Sequence, residues 1–165
     1  MTQDDNQACL LLGSNIEPEK NLVLAVEMLQ KNMTILRVSS VYETLPVGSD
    51  GPCFLNAALV GLTPLGVYSL KRKVLRQLET EMGRVRSRDK NAPRPIDFDI
   101  IAFNGKFLDG TVWQFAYKAV PAAELMPFYL SDTGEPLHDA ALRLKSLTLI
   151  KERTDVLIDC VCKCH

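Results

Sequence analysis

The chain has 165 residues, 47% hydrophobic and 24% charged, enough apolar material for one domain with its own core and too much for a disordered or fibrous chain. Lys plus Arg total 19 against 20 for Asp plus Glu, a formal net charge of −1, so no global field attracts nucleic acid or an anionic membrane and any grip on anions has to be local. No apolar run approaches the roughly 20 residues of a membrane-spanning helix. The polar, acidic start Met1–Asn6 lacks a secretory pattern, and five cysteines at 9, 53, 160, 162 and 164 make no disulfide framework. These features lead us to expect a cytoplasmic protein with no membrane and no nucleic-acid partner; a monomer is the expected state, although none of them bears on it.

Ala8–Leu12 is a continuous apolar run closed by Gly13-Ser14-Asn15, the pattern of a central strand ending in a turn. Pro18 suits a first helical position, and Leu22, Val26, Leu29 and Met33 then form one apolar stripe, predicting a helix over about 18–32. Ile35–Tyr42 is β-branched and strand-like, residues 45–52 form a loop rich in Pro and Gly, and Phe54–Leu62 is the next strand. Thr63-Pro64 then predicts an N-cap and an N1 proline for a second helix, with the stripe Val67, Leu70, Val74, Leu78 and Met82 stopping at Gly83. After a basic connection over Arg84–Arg94, Ile96–Phe103 is a strand ended by the hairpin signal Asn104-Gly105, with Lys106–Leu108 as its short partner. The order strand, helix, strand, strand, helix, strand is the split βαβ arrangement of a ferredoxin-like α+β fold, with both helices on one sheet face. Beyond residue 109 the signals weaken to short helices near Pro121–Met126 and Asp139–Leu149 and a turn at 132–134. A single domain over 1–159 followed by a Cys-rich tail is the expected organisation.

The strongest chemical pattern is Pro93-Arg94-Pro95-Ile96-Asp97-Phe98-Asp99-Ile100-Ile101. Period 2 places Asp97 and Asp99 on one strand face and Ile96, Phe98 and Ile100 on the other. Adjacent carboxylates repel unless a cation neutralises them, and hard oxygens at this spacing suit Mg²⁺ shared with phosphates. A solvated strand face, or pairing of the aspartates with arginines, is the plainer alternative. In Arg84–Arg94 five cations and one acid lie directly before this strand. Such a loop could clamp a polyphosphate during phosphoryl transfer, or simply be solvated or bind RNA. Thr44-Leu45-Pro46-Val47-Gly48 and Phe54-Leu55-Asn56 offer an amide for the edge of a flat heterocycle and a ring for its face, although such an aromatic is commonly core and such an Asn commonly satisfies backbone groups.

At these residues the chain resembles the 6-hydroxymethyl-7,8-dihydropterin pyrophosphokinase family, enzymes of folate biosynthesis. The match runs from about Leu10 to Phe103 in family order. It comprises the Leu12-Gly13-Ser14-Asn15 turn, Ser39–Thr44, Phe54–Ala58, Glu79 with Gly83–Arg86, and the Pro-Arg-x-x-Asp-x-Asp-Ile-Ile signature at 93–101. The resemblance implies the ferredoxin-like fold and transfer of diphosphate from ATP to the pterin alcohol, whose oxygen attacks the β-phosphorus while AMP leaves. It implies that Asp97 and Asp99 hold two Mg²⁺ ions, that Arg84 and Arg94 close over the triphosphate, and that Glu79 and Ile100 serve the nucleotide. Thr44, Val47 and Asn56 would then read the pterin edge, with Phe54 and Tyr117 as stacking rings. No general base is evident; the alcohol proton leaves late or goes to Asp97.

After Phe103 the chain departs from the family pattern, which carries a Pro-His pair and further arginines for ATP. Pro121-Ala-Ala-Glu124-Leu-Met-Pro127 resembles the family's ending, yet Asp109–Ala116 is short and holds neither His nor Arg. The expectation is therefore an enzyme of reduced activity, with a non-catalytic pterin- or nucleotide-binding homologue as the alternative. An RNA-recognition module shares the element order but needs exposed aromatics on its central strands, and Phe54–Leu62 has one aromatic. Cys160, Cys162, Cys164 and His165 could bind Zn²⁺ or Cu⁺, but their alternate spacing differs from paired zinc motifs, and a frayed tail with oxidisable thiols is the alternative.

Overall fold

The computed structural model describes residues 4–156; the Cys-rich tail lies outside them. Strand β1 (Asn6–Ser14) is the centre of an antiparallel sheet, paired on one side with β4 (Phe54–Thr63) and on the other with β5 (Asp97–Phe103). Beyond β4 lie β2 (Thr34–Val38) and β3 (Val41–Thr44), and beyond β5 lies the short β6 (Lys106–Phe107). The core order β5, β1, β4, β2/β3 is that of the ferredoxin-like fold.

The apolar run of β1 is continuous because both sheet faces are covered. Leu10 and Leu12 point into one core with Leu22, Val26 and Leu29 of α1 (Pro18–Leu29) and with Leu70, Val74, Leu75 and Leu78 of the second helical segment. Cys9 and Leu11 point into another, closed by α4 (Ala116–Leu125) and α5 (Leu137–Lys145). The first two helices thus share one face, as expected, while the weakly patterned C-terminal third supplies a complete layer on the other. That layer removes the open sheet face on which an RNA-recognition reading depends.

Several expectations change. The stretch 35–42 is two strands, split where the Ser39 N–H donates to the Ala58 carbonyl at 2.8 Å and the Ser39 hydroxyl accepts from the Ala58 N–H at 2.8 Å. Thr63 is not an N-cap: it ends β4 opposite Asn6, so ladder pairing overrides the local cap signal, and the helix starts at Val67 after Gly66. The second helix itself is composite, α2 (Val67–Ser69), a π-helical stretch Leu70–Leu75, then α3 (Arg76–Glu81). Pro121 does not open a helix but lies inside α4, which begins at Ala116 behind a 3₁₀ turn at Gly110–Trp113. A further strand, β7 (Ile150–Arg153), extends the sheet beside β3 and has no clear sequence signal. The Asn104-Gly105 hairpin is as expected, both residues at positive φ (48° and 78°).

Candidate active site

Two cavities meet at the N-terminal end of β5. The first, about 190 Å³, is lined by Gly13, Thr44, Val47, Phe54, Asn56 and Tyr117 together with Lys90, Asn91, Arg94, Asp97 and Asp99. The second, about 230 Å³, is lined by Lys71, Arg76, Glu79, Arg84, Arg86, Phe98 and the same two aspartates. Asp97 and Asp99 therefore form the shared wall, on the strand face opposite Phe98, as period 2 requires.

The first cavity is built by strand ends. Thr44 closes β3 and pairs with Phe54 at the start of β4, which places the loop 45–52 over the opening. The Asn56 amide donates to the Thr44 hydroxyl at 2.8 Å, fixing its orientation and leaving its carbonyl oxygen beside Gly13. A side chain at residue 13 would put its Cβ 3.1 Å from that oxygen and 3.8 Å from the Phe54 ring, so the Gly13 turn is part of the cavity floor. The basic loop reaches across: the Asn91 amide donates to the Gly48 carbonyl at 3.4 Å.

In the second cavity Glu79 organises the charge. Only 4% exposed, it pairs with Arg84 at 2.8 Å and Arg86 at 3.0 Å and accepts the Phe98 N–H at 3.1 Å, tying α3 to β5. Arg84 continues to Asp97 at 2.5 Å, and Arg94 reaches the other Asp97 oxygen at 3.1 Å. Burial alone would lower the proton affinity of the Arg84 guanidinium; Asp97, Glu79 and Asp99 outweigh it and raise it. The Asp99 carboxylate has neither ion pair nor hydrogen bond among the described residues. The protein packed around it raises its carboxyl pKa and the Asp97 charge adds to this, while Lys118 and Lys71 act the other way. The two aspartates thus differ: the arginines already neutralise one, and the other is an open hard-oxygen donor suited to a divalent cation shared with phosphates.

Behind Tyr117 the chain has a further cation, Lys118, which the sequence leaves open as a replacement for the ATP contacts missing from 109–116. Lys118 donates to Asp109 at 2.7 Å and to the Thr111 hydroxyl at 2.9 Å, and lies 5.9 Å and 5.7 Å from the Phe115 and Tyr117 ring centroids. Burial favours a raised Tyr117 pKa; the carboxylates of Asp99, Asp109 and Asp97 reinforce it and Lys118 opposes it.

Of the residues expected in the site, Thr44, Val47, Phe54, Asn56 and Tyr117 come together in the first cavity and Glu79 and Arg84 in the second, with Asp97 and Asp99 in both and Arg94 at the first. Ile100 reaches neither; half-buried, it packs on the first core, because its alternation carries it to the face away from the aspartates. Lys90 and Asn91 enter the first cavity as part of the basic loop expected to clamp phosphate, whereas Lys71 and Arg76 carry no sequence signal, and their approach depends on a π-helical turn that no sequence pattern announces.

Residues 9–127 match the family model described as 7,8-dihydro-6-hydroxymethylpterin-pyrophosphokinase (HPPK). A Bacillus subtilis 2-amino-4-hydroxy-6-hydroxymethyldihydropteridine pyrophosphokinase is 41% identical over 104 residues, covering 61% of this chain and 61% of that protein. A mitochondrial folate synthesis bifunctional protein of Arabidopsis thaliana is 34% identical over 151 residues, 84% of this chain but 27% of its own length. The chain therefore spans only part of the length of these relatives. In three dimensions it is similar to Plasmodium falciparum HPPK-DHPS, with a TM-score of 0.67 at 14% identity over 88% of this chain and 46% of that one, a likeness of fold. With the family model covering most of the sequence, including the Asp97–Asp99 strand and both cavities, the chain belongs to the 7,8-dihydro-6-hydroxymethylpterin-pyrophosphokinase family.

Proposed function

We propose that the protein transfers diphosphate from ATP to the hydroxymethyl oxygen of 6-hydroxymethyl-7,8-dihydropterin, giving AMP and the pterin diphosphate for folate biosynthesis. One observation carries this reading: the carboxylates of Asp97 and Asp99 stand in the wall common to a cavity lined by Phe54, Tyr117 and Asn56 and a cavity lined with cations. A donor and an acceptor held on either side of that wall meet at the carboxylates, and positioning accounts for much of the barrier in phosphoryl transfer.

The residues present fit Mg²⁺. Two hard carboxylates face the junction, and no group of three or more His, Cys, Asp or Glu among the described residues forms an all-protein cage, which suits an ion that takes its remaining ligands from phosphates and water. Asp97 and Asp99 would hold two such ions, whose bound charge would neutralise the phosphate oxygens. Asn56 and the backbone about Thr44 and Val47 would bind the pterin edge, with Phe54 and Tyr117 against its faces. Arg84 and Arg94, now on Asp97, would exchange that carboxylate for phosphate oxygens, as charge-assisted pairs allow. No histidine lines either cavity, so the carboxylates of Asp97 and Asp99 and solvent are the acceptors available for the alcohol proton.

The same reading takes residues 1–159 as one domain working as a monomer in the cytoplasm. Two cores sharing a single sheet support the single domain, and no helix among the described residues is long and apolar enough to cross a membrane. A non-catalytic pterin-binding homologue is the second reading, favoured by the absence of His and Arg from 109–116 and by the engagement of both site arginines with Asp97.

Incubation with 6-hydroxymethyl-7,8-dihydropterin, ATP and Mg²⁺, with AMP and pterin diphosphate followed by chromatography, decides between them. Stoichiometric products, abolished by Asp97→Ala or Asp99→Ala, are expected; full activity in either variant would reject the carboxylate assignment. Pterin binding without product would establish the second reading.

A further inference from the structure

The nucleotide-side cavity is lined by two cations, Lys71 and Arg76, that sequence periodicity does not connect. Five residues along an α-helix correspond to a rotation of roughly 140°, which would send the two side chains to different sides. Between them the helix is not α. Leu70–Leu75 is π-helical, and the Arg76 N–H donates to the Lys71 carbonyl, an i→i+5 bond that stacks residues five apart. Leu70, Val74 and Leu75 stay buried in the first core, so the wider turn is accommodated without loss of packing. Turns of this kind are rare and concentrate at functional sites.

The charges around Asp99 show why this turn matters. Lys71 lines the same cavity as that carboxylate, and Lys118 lies against the Tyr117 ring at the neighbouring one. Lys118 is already committed, its side chain 13% exposed and its ammonium on Asp109 and Thr111. Lys71 is exposed, and among the described residues neither Lys71 nor Arg76 has an ion pair, whereas Arg84, Arg86 and Arg94 all do. An unpaired ammonium facing a cavity that already holds an unpaired carboxylate is placed to receive an anion bridging the two through a divalent cation.

We infer that Lys71, turned into the cavity by the π-helical stretch with Arg76 stacked beside it, is a phosphate-gripping residue for the β- and γ-phosphates of the nucleotide. It supplies charge that the short segment 109–116 does not. The inference rests on the diphosphate-transfer reading.

Calorimetric titration of wild type, Lys71→Met and Lys71→Arg with Mg²⁺ and α,β-methylene-ATP, and separately with AMP and with 6-hydroxymethyl-7,8-dihydropterin, tests it. Lys71→Met should lose about tenfold in affinity for the triphosphate analogue, the scale of one charge-assisted contact, and keep wild-type affinity for AMP and pterin, while Lys71→Arg should retain most of the analogue affinity. Unchanged analogue binding in Lys71→Met, or an equal loss for AMP, would overturn the assignment. If wild type binds analogue and pterin but Lys71→Met is unaltered, only this assignment fails; if wild type binds neither ligand, the diphosphate-transfer reading fails and takes this one with it.

Discussion

Glu79 shows how much one buried side chain can organise. Its carboxylate serves two guanidiniums and the Phe98 N–H, so its loss would leave Arg84, 13% exposed, facing Asp97 alone and Phe98 without an acceptor. Removing one member of a buried pair strands the other, at a cost of about 3 kcal/mol. Glu79→Ala should therefore lower the urea midpoint by that equivalent and weaken nucleotide binding, while a surface substitution such as Glu81→Ala leaves both unchanged. The Asp97–Asp99 contrast belongs to the same scale: identical residues two apart have different partners because Arg84 and Arg94 reach only the first.

Among elements, the 3₁₀ turn and α4 are joined by the Asp109–Lys118 pair beneath Tyr117. Burial alone would raise the Asp109 carboxyl pKa, but hydrogen bonds from Lys118 and Thr111 prevail and hold it below the ordinary range. A depressed carboxyl pKa stabilises the fold fully above the unfolded value of about 3.9 and loses that contribution as pH falls through the folded value. Asp109→Asn should accordingly flatten the acid limb of a stability profile below about pH 4 and leave the neutral-pH slope untouched. At the opposite sheet edge Arg153 of β7 bonds Glu43 of β3 at 2.8 Å, Asp155 at 3.0 Å and Glu19 of α1 at 3.3 Å. Because that network is partly exposed, Arg153→Ala should cost about 1 kcal/mol, with a difference that shrinks in high salt during thermal unfolding.

The whole molecule is one sheet between two helical layers, and both layers carry comparable weight. Leu59 of β4 is fully buried in the first core and Leu137 of α5 is fully buried in the second. Leu59→Ala and Leu137→Ala should each destabilise by about 3 kcal/mol, and the double variant by nearly the sum, because the sheet separates the two positions. A cheap Leu137→Ala, read in urea denaturation, would show the C-terminal layer to be an appendage to the ferredoxin-like core.

Much of this protein was legible in its residues. Alternation put Asp97 and Asp99 on one face, the stripe Leu22, Val26, Leu29 and Met33 marked α1, and Asn104-Gly105 marked the hairpin, because each depends on spacing within a few residues. The signature at 93–101 and the residues about Thr44 and Phe54 named the family for the same reason. What lay beyond reach required partners distant in sequence. Thr63 looked like a cap until β1 paired with it, Pro121 looked like a helix start until the 3₁₀ turn and the second core fixed α4, and β7 exists only where β3 offers an edge. Sequence by itself determined which chemistry the carboxylate strand could support; tertiary structure decided that Arg84 and Arg94 hold Asp97 while Asp99 stays open, and that Lys71 faces it, since charge pairing and a π-helical turn are set by packing between elements rather than by neighbours in the chain.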